Sequence, residues 1–406
     1  MIAGGECGFI VPMPQIIIVA DDLTGAADTG GVFAQAGLAT LVALARSSKQ
    51  PECDVLAVST ASRELPCEEA VQRVREACTG PAARSAAWVY KKMDSTLRGH
   101  PAAELFAVME ALKIERALVA PAFPAQGRTT VAGRQLVDGT PVDQTAFGRD
   151  VPCSDVVALF RKEAGGREVR LIGRESMPPN RGILVADAET DEDLRATARA
   201  AMEGGIRLFC GSAGLAKALA AALPWKPGRP APMPTARPPG PVLVVAGSRH
   251  ASTARQVACA RHRGVIVVRP EGRFLAGEDE ALEGVVRKIA GHLAEGRDVI
   301  VTTADTGDSP LGAEGVAARL GLVAQRVKSL VGGLVLTGGD IAAAVCAALG
   351  ATAIRLWGEV RPGIPSGILI TGGCDGFRIV TKAGGFGDED ALIAAIEYLK
   401  LKGGGV

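Results

Sequence analysis

The sequence predicts an α/β protein of two domains, each a mainly parallel sheet flanked by helices, with the active site in a cleft between them. Three observations predict it. At 406 residues the chain exceeds what one ordinary hydrophobic core organises. Short β-branched runs alternate with Ala/Leu-rich stretches along it, the pattern of strands joined by crossover helices. Eight of its 24 prolines lie between Pro224 and Pro241, where neither helix nor central strand can form, so this segment reads as a stiff linker. The expected boundaries are a domain over 1–223, the linker over 224–241 and a second domain over 242–406.

The chain opens on Met1 to Pro14, which lacks the basic start and long apolar stretch of a secretory signal. Met13 is the expected natural start, because Pro14-Gln15 then leads directly into an apolar strand. In the first domain the expected strands are 16–20, 40–44, 55–59, 86–90, 117–120, 183–186 and 208–210. In the second they are 242–246, 265–268, 299–302, 334–337 and 368–371, and 388–401 reads as a closing amphipathic helix. In open parallel sheets ligands bind beyond the carboxyl ends of the strands, so the informative residues are those that follow each strand.

The totals exclude several classes. Lys plus Arg is 45 and Asp plus Glu is 44, so no long-range field exists to hold nucleic acid or an anionic membrane. The apolar runs are too short to cross a bilayer. Nine cysteines include no CxxC pair, and only four histidines are present, which gives a zinc or iron–sulfur site little support. Scattered single cysteines fit a reducing cytoplasm. Homo-oligomer formation is left open.

After strand 16–20 comes Asp21-Asp22-Leu23-Thr24-Gly25-Ala26-Ala27-Asp28. One carboxylate would cap the following helix; two adjacent ones suit sugar hydroxyls or removal of a hydroxyl proton. After strand 86–90 comes Lys91-Lys92-Met93-Asp94-Ser95-Thr96-Leu97-Arg98-Gly99-His100, with cations, a carboxylate and hydroxyls close together. Arg98 can hold a substrate carboxylate with two parallel hydrogen bonds. The bland alternative is a helix start with Asp94 or Ser95 as cap and the basic residues in solvent. Arg63, after strand 55–59, is a further carboxylate contact or a solvated loop residue. Pro121-Ala122-Phe123-Pro124-Ala125-Gln126-Gly127-Arg128 is a rigid loop from which Gln126 or Arg128 could face the site. Cys210 to Ala216 is a small-residue turn, suited to an anion or simply to close packing.

In the second domain, Gly247-Ser248-Arg249-His250-Ala251 follows a strand and opens a helix whose backbone N–H groups could hold phosphate. Thr337-Gly338-Gly339-Asp340-Ile341 does the same, with Asp340 able to carry Mg2+ indirectly or act as a base. Thr381-Lys382-Ala383-Gly384-Gly385-Phe386-Gly387 offers a lysine and a glycine-rich turn to a nucleotide. No G-x-x-x-x-G-K-[ST] occurs, so this is not a P-loop protein, and no nicotinamide fingerprint or G-x-S-x-G elbow is present.

Asp21 to Ala26, Lys92 to Gly99, Pro121 to Pro124, Gly247-Ser248, Thr337 to Asp340, Pro362-Gly363-Ile364-Pro365 and Thr381 to Gly387 together resemble the four-carbon acid sugar kinase family, in the family's order and over nearly the whole chain from Ile16. The resemblance implies an N-terminal domain for the sugar acid, a C-terminal domain for ATP, and transfer of the γ-phosphate to the C4 hydroxyl of threonate, erythronate or 3-oxo-tetronate. It places Asp21, Asp22, Arg63, Lys92, Asp94, Ser95 and Arg98 near substrate. It places Ser248, Gly338, Gly339, Asp340, Ile341, Gly384 and Gly385 near ATP, with Lys382 beside them. Two departures fall at phosphate or metal contacts. Many relatives carry a small residue, Ser and Pro after Gly247-Ser248, and Thr where this chain has Ile341.

The expected mechanism is phosphoryl transfer by positioning and charge neutralisation, with ATP and Mg2+ as cofactors. Arg98 and Lys92 would anchor the substrate carboxylate, and Asp22, Asp21 or Asp340 would accept the hydroxyl proton. The alternatives are a kinase of another small hydroxy acid and a non-catalytic sensor of a sugar acid and a nucleotide, which would release no ADP.

Overall fold

The computed structural model describes residues 13–44, 52–151, 153–173, 181–223, 236–303, 309–371 and 376–401. Most of the expected linker, and everything before Met13, lie outside the described residues. The expected strands are present. Ile16–Ala20, Val55–Ser59, Val242–Ala246 and Val299–Thr302 occupy the residues read from the sequence. The strand expected at 86–90 sits two residues later, at Trp88–Lys92, because it pairs with the first strand from Ile16↔Trp88 to Ala20↔Lys92.

Each half is a parallel α/β layer. In the first, the strands run in the order Thr40–Ala43, Val55–Ser59, Ile16–Ala20, Trp88–Lys92, Leu208–Gly211, Arg116–Ala120, Gly182–Ala186, Val169–Ile172, all parallel. In the second the order is Ile266–Val268, Val299–Thr302, Val242–Ala246, Gly333–Thr337, Phe377–Lys382, again parallel. Ile16, Ile17, Ile18 and Val19 are fully buried, as in strands covered by helices on both faces.

The two layers are not separate sheets. A long hairpin, Ala351–Arg361 and Ile364–Thr371, pairs antiparallel with Thr40–Ala43 on one side and Phe377–Lys382 on the other, giving one 15-stranded sheet. Its first strand was not expected, and its second was expected only at 368–371, since Pro362, Gly363 and Pro365 read as loop. Pro365 is accommodated opposite Glu359, beside one of three register shifts, at Ala351/Ala353, Leu356/Gly358 and Glu359/Arg361. Such shifts add twist and bend. The antiparallel hairpin makes the strands of the two halves run in opposite directions. Bending through it is what can bring their carboxyl edges to one cleft.

The helix that follows the first strand, Leu23–Gln35, lies along this joint. A Cβ on Gly30 would meet Leu356 Cδ1 at 2.8 Å, and one on Gly31 would meet Pro365 Cβ at 2.9 Å, so only glycine lets the helix and hairpin close. A small antiparallel sheet, Arg128–Val131, Arg134–Val137 and Thr140–Pro141, projects from the first half. It occupies the stretch after the loop at 121–128. Ala132-Gly133 and Asp138-Gly139 both have positive φ at both positions, the conformation of tight hairpin turns.

Candidate active site

Asp21 and Asp22 end the first strand and open the helix. Asp22 caps that helix: its Oδ1 accepts from Gly25 N at 2.7 Å, and its Oδ2 accepts from Thr24 Oγ1 at 2.7 Å. Arg63 grips both carboxylates. Its Nε and Nη2 donate to the two oxygens of Asp21 at 2.7 and 2.8 Å, and its Nη1 donates to Asp22 Oδ2 at 2.8 Å. Asp21 is only 2% exposed. Burial pushes its carboxyl up, but the charges of Arg63, Lys91 and Lys92 outweigh it and hold Asp21 below the ordinary range. Arg63, expected as a contact for the substrate carboxylate, is thus engaged by the protein's own acids.

Strand alternation sends Lys91 and Lys92 to opposite faces. Lys91 is fully buried and pairs with Glu104 at 2.7 Å; the same Glu104 accepts a hydrogen bond from Ser62, next to Arg63. This pair sits under the Asp21–Arg63 cluster, and neither lysine is in solvent. Lys92 Nζ donates to Met93 O at 2.9 Å and faces Gly25. Asp94 accepts from Arg98 Nε at 2.7 Å and from Thr96. Burial acts to raise Asp94, yet Arg98 and Arg63 hold it well below the usual carboxylate range. Ser95 is buried, and its carbonyl accepts from Gln135 Nε2 at 2.7 Å. The next helix begins only at Pro101, so Asp94 and Ser95 are not its cap.

In the second half, three strand ends converge. A Cβ on Gly384 would fall 2.0 Å from Ser248 Oγ, and one on Gly338 3.7 Å from Ser248 Cβ. Gly338 has φ +99° and caps helix Gly339–Ala348. Ile341 is buried against Gly247. Thr337 Oγ1 and Thr381 Oγ1 are buried without a hydrogen-bond partner, at the ends of two paired strands. Lys382 turns inward: its Nζ donates to Ala383 O, Gly384 O and Phe386 O at 2.9, 3.1 and 3.0 Å. Burial lowers its pKa from 10.5 to about 7.

The two sets of residues meet. A Cβ on Gly339 would be 3.1 Å from Asp22 Oδ2. Asp340 reaches solvent, but the surrounding walls strip part of its water and, with the charge of Asp22, raise its pKa against the pull of Arg63. Aromatic contacts bridge the halves as well. Phe123 packs edge-on to Phe386 at 5.9 Å, Phe147 stacks on His250 at 6.3 Å, and the Arg98 guanidinium lies over the Phe147 ring at 5.8 Å.

Sequence reasoning missed Phe147, Phe386, Glu104 and Gln256. Gln256 fixes the glycine-rich turn by donating to Phe386 O, Gly387 O and Asp388 O at 2.9–3.0 Å. Phe386 lies in the glycine-rich turn after strand Phe377–Lys382, where the sequence offered a lysine and glycines but no role for its ring; Phe147, Glu104 and Gln256 lie farther from the strand ends, so the rule of looking just beyond them passes over these three. Gln126 donates to Pro362 O at 3.4 Å, across the joint. The turn at Cys210 to Ala216 resolves as packing: Ser212 Oγ donates to Ala122 O at 2.6 Å, and a Cβ on Gly214 would be 2.6 Å from that same carbonyl. A cavity of about 1190 Å³ opens at the far edge, where strands Arg116–Ala120 and Gly182–Ala186 begin, away from all these turns.

Two family models match the chain in succession. A sugar-binding N-terminal domain family matches residues 16–219, and a nucleotide-binding C-terminal domain family matches residues 243–392. The chain is 35% identical to the D-threonate kinase of Salmonella typhimurium, over 95% of this chain and 98% of that one. It is 30% identical to the D-erythronate kinase of Heliobacterium modesticaldum, over 96% and 98%. It is also 30% identical to the 3-oxo-tetronate kinase of Methylobacterium radiotolerans, over 94% and 98%. Among solved structures, a Salmonella typhimurium LT2 protein shares the fold with a TM-score of 0.76 at 21% identity, over 94% and 98%. Haemophilus influenzae protein HI1011 does so at 0.69 and 20%, over 95% and 100%. The likeness to the three kinases, with both domain matches, makes this chain a member of the four-carbon acid sugar kinase family, a phosphotransferase acting on a sugar-acid hydroxyl.

Proposed function

We propose that this protein transfers the γ-phosphate of ATP to the terminal, C4 hydroxyl of a four-carbon sugar acid such as threonate, erythronate or 3-oxo-tetronate, in the cytoplasm. One observation carries the reading: the acidic turn of the first half and the glycine turn of the second face each other, with Gly339 leaving 3.1 Å between a Cβ there and Asp22 Oδ2. An acceptor held at one turn and a phosphate held at the other are then within reach of each other.

The residues divide the work. Lys92 and Arg98 anchor the carboxylate of the sugar acid, with Asp94 orienting Arg98 through its 2.7 Å hydrogen bond. Both acids accept hydrogen bonds, but the Asp21 side chain is 3% exposed, with both oxygens on Arg63, and that of Asp22 is 17% exposed, so Asp21 is the poorer base. Asp22 stands at the junction and accepts the proton of the attacking hydroxyl; Arg63 and Thr24 fix its direction. Ser248, Gly338, Gly339, Gly384 and Gly385 form the nucleotide cradle, and the unpartnered Thr337 and Thr381 hydroxyls are donors suited to it. When bound, Mg2+ supplies charge neutralisation at the phosphates. Asp340 would hold it, a carboxyl at the start of the glycine-turn helix that is partly stripped of water and faces the charge of Asp22. Closure of the two halves excludes water, the competing acceptor.

The test is a coupled ADP-release assay over D- and L-threonate, D- and L-erythronate and their 3-oxo forms, with wild type and Arg98→Ala. Turnover of at least one acid is expected. Arg98→Ala should raise KM for the acid at least about tenfold and leave KM for ATP near its wild-type value. No ADP with any acid refutes the kinase reading, and an equal loss of both substrates refutes the role of Arg98.

A further inference from the structure

Asp28 lies one helical turn beyond the acidic turn, on helix Leu23–Gln35, and nothing above uses it. It is 5% exposed, and its Oδ1 is buried with no hydrogen-bond partner. A buried polar atom without a partner is costly and rare in folded proteins, and calls for a reason. Its surroundings supply one. Lys92 and Tyr90 approach from strand Trp88–Lys92, Asp22 from the turn, and Glu359 from the hairpin. A Cβ on Gly363, at φ +79°, would lie 3.6 Å from Asp28 Oδ1. Tyr90 is committed to Ser212 O, and Glu359 Oε1 to Gly363 N at 2.7 Å. Lys217, on helix Ala213–Ala222, reaches this group only through its effect on Glu359. What remains is Lys92, an ammonium that donates to the Met93 carbonyl, beside a carboxyl with an open oxygen.

We propose that Asp28 is a further substrate-binding residue, which donates a hydrogen bond from its carboxyl to the carboxylate end of the sugar acid while Lys92 supplies the opposing charge. The inference rests on the kinase reading and deepens it. Only the protonated acid can stand next to an anion in a pocket that Asp22 and Glu359 already make negative. Burial does keep the proton on: it pushes Asp28 up to about 8, with Glu359 and Asp22 adding to the rise and Lys92 opposing it. The substrate then gives Asp28 the partner that its Oδ1 lacks and adds to the hydrogen bond Lys92 already makes.

The experiment measures KM for the sugar acid from pH 6.5 to 9 at saturating ATP, so that Lys382, which titrates on the nucleotide side, does not enter. Wild-type KM should rise about tenfold by pH 9, where roughly a tenth of Asp28 keeps its proton. Asp28→Asn keeps a donor that does not titrate, so its KM should be about threefold above wild type at pH 7 and flat to pH 9. Asp28→Ala should raise KM tenfold or more, with KM for ATP unmoved. An alkaline rise shared by wild type and Asp28→Asn overturns the inference, as does parallel loss of affinity for both substrates. If Asp28→Ala fails to fold, the asparagine variant decides. Wild-type protein that phosphorylates no tetronate removes the kinase reading and this inference with it; turnover with an unchanged pH profile in the variant removes this inference alone.

Discussion

Replacing Arg63 with Met isolates the energetics of the acidic turn. Met keeps much of the volume and deletes the charge, so a cavity contributes little. Three charge-assisted hydrogen bonds are lost, at 2.7, 2.8 and 2.8 Å. At about 1.5–3 kcal/mol each their sum overstates the net contribution, because desolvating Arg63, Asp21 and Asp22 offsets much of that gain. The larger surviving term is Asp21 left buried and ionised without its partner, which costs about 3–5 kcal/mol. The pH dependence follows. In wild type Asp21 has a folded pKa below its unfolded value, so its contribution is present above about pH 3.9 and is lost as pH falls through the folded pKa. In Arg63→Met, burial is unopposed by Arg63 and the sign reverses: Asp21 then costs stability above about pH 3.9. The gap between the two proteins should therefore be widest near pH 7 and narrow toward pH 4. Urea unfolding followed by intrinsic fluorescence at pH 7 and pH 4.5 measures it. A gap under about 1 kcal/mol, or one equal at both pH values, would refute the assignment of Arg63 as the counter-charge of a buried Asp21.

Two further outcomes are expected. Glu104→Gln leaves Lys91 fully buried without its counter-ion, so it should cost about 3–5 kcal/mol, whereas the double variant Lys91→Met/Glu104→Leu should cost clearly less than the single; additive losses in thermal melts would show that the two side chains are not coupled. Lys382, lowered to about 7 by burial, binds fewer protons folded than unfolded between pH 7 and about 10.4, so wild-type stability should gain on the order of 4 kcal/mol across that window relative to Lys382→Met. Stability curves that run parallel for the two proteins would contradict it.

Much of the architecture was legible because buried parallel strands are short, β-branched and bounded by small turn residues. Ile16–Ala20 and Val242–Ala246 could hardly be anything else. The small sheet at 128–141 carried one clear signal, the Asp-Gly pair at 138–139, which favours a tight hairpin turn. The hairpin at 351–371 carried a misleading one, since Pro365 sits inside a strand beside a register shift that only pairing with Glu359 reveals.

For the site, residue types at strand ends named the acids, the cations and the glycines, because a short anionic polyol and a phosphate require those groups and loops can present them. What each one touches was decided by tertiary structure. Sequence placed Arg63 toward a ligand, and folding put it on Asp21 and Asp22. Strand alternation assigned Lys91 to a buried pair with a glutamate thirteen residues away and put Lys92 on the other face, against Gly25 and the Met93 carbonyl. The meeting of Gly339 with Asp22, and the open oxygen of Asp28 beneath it, depends on the bend of a hairpin more than three hundred positions along the chain from the helix it packs against. Local sequence specifies which chemistry a turn can offer; the partners of a charge are set by distances that exist only once the sheet has closed.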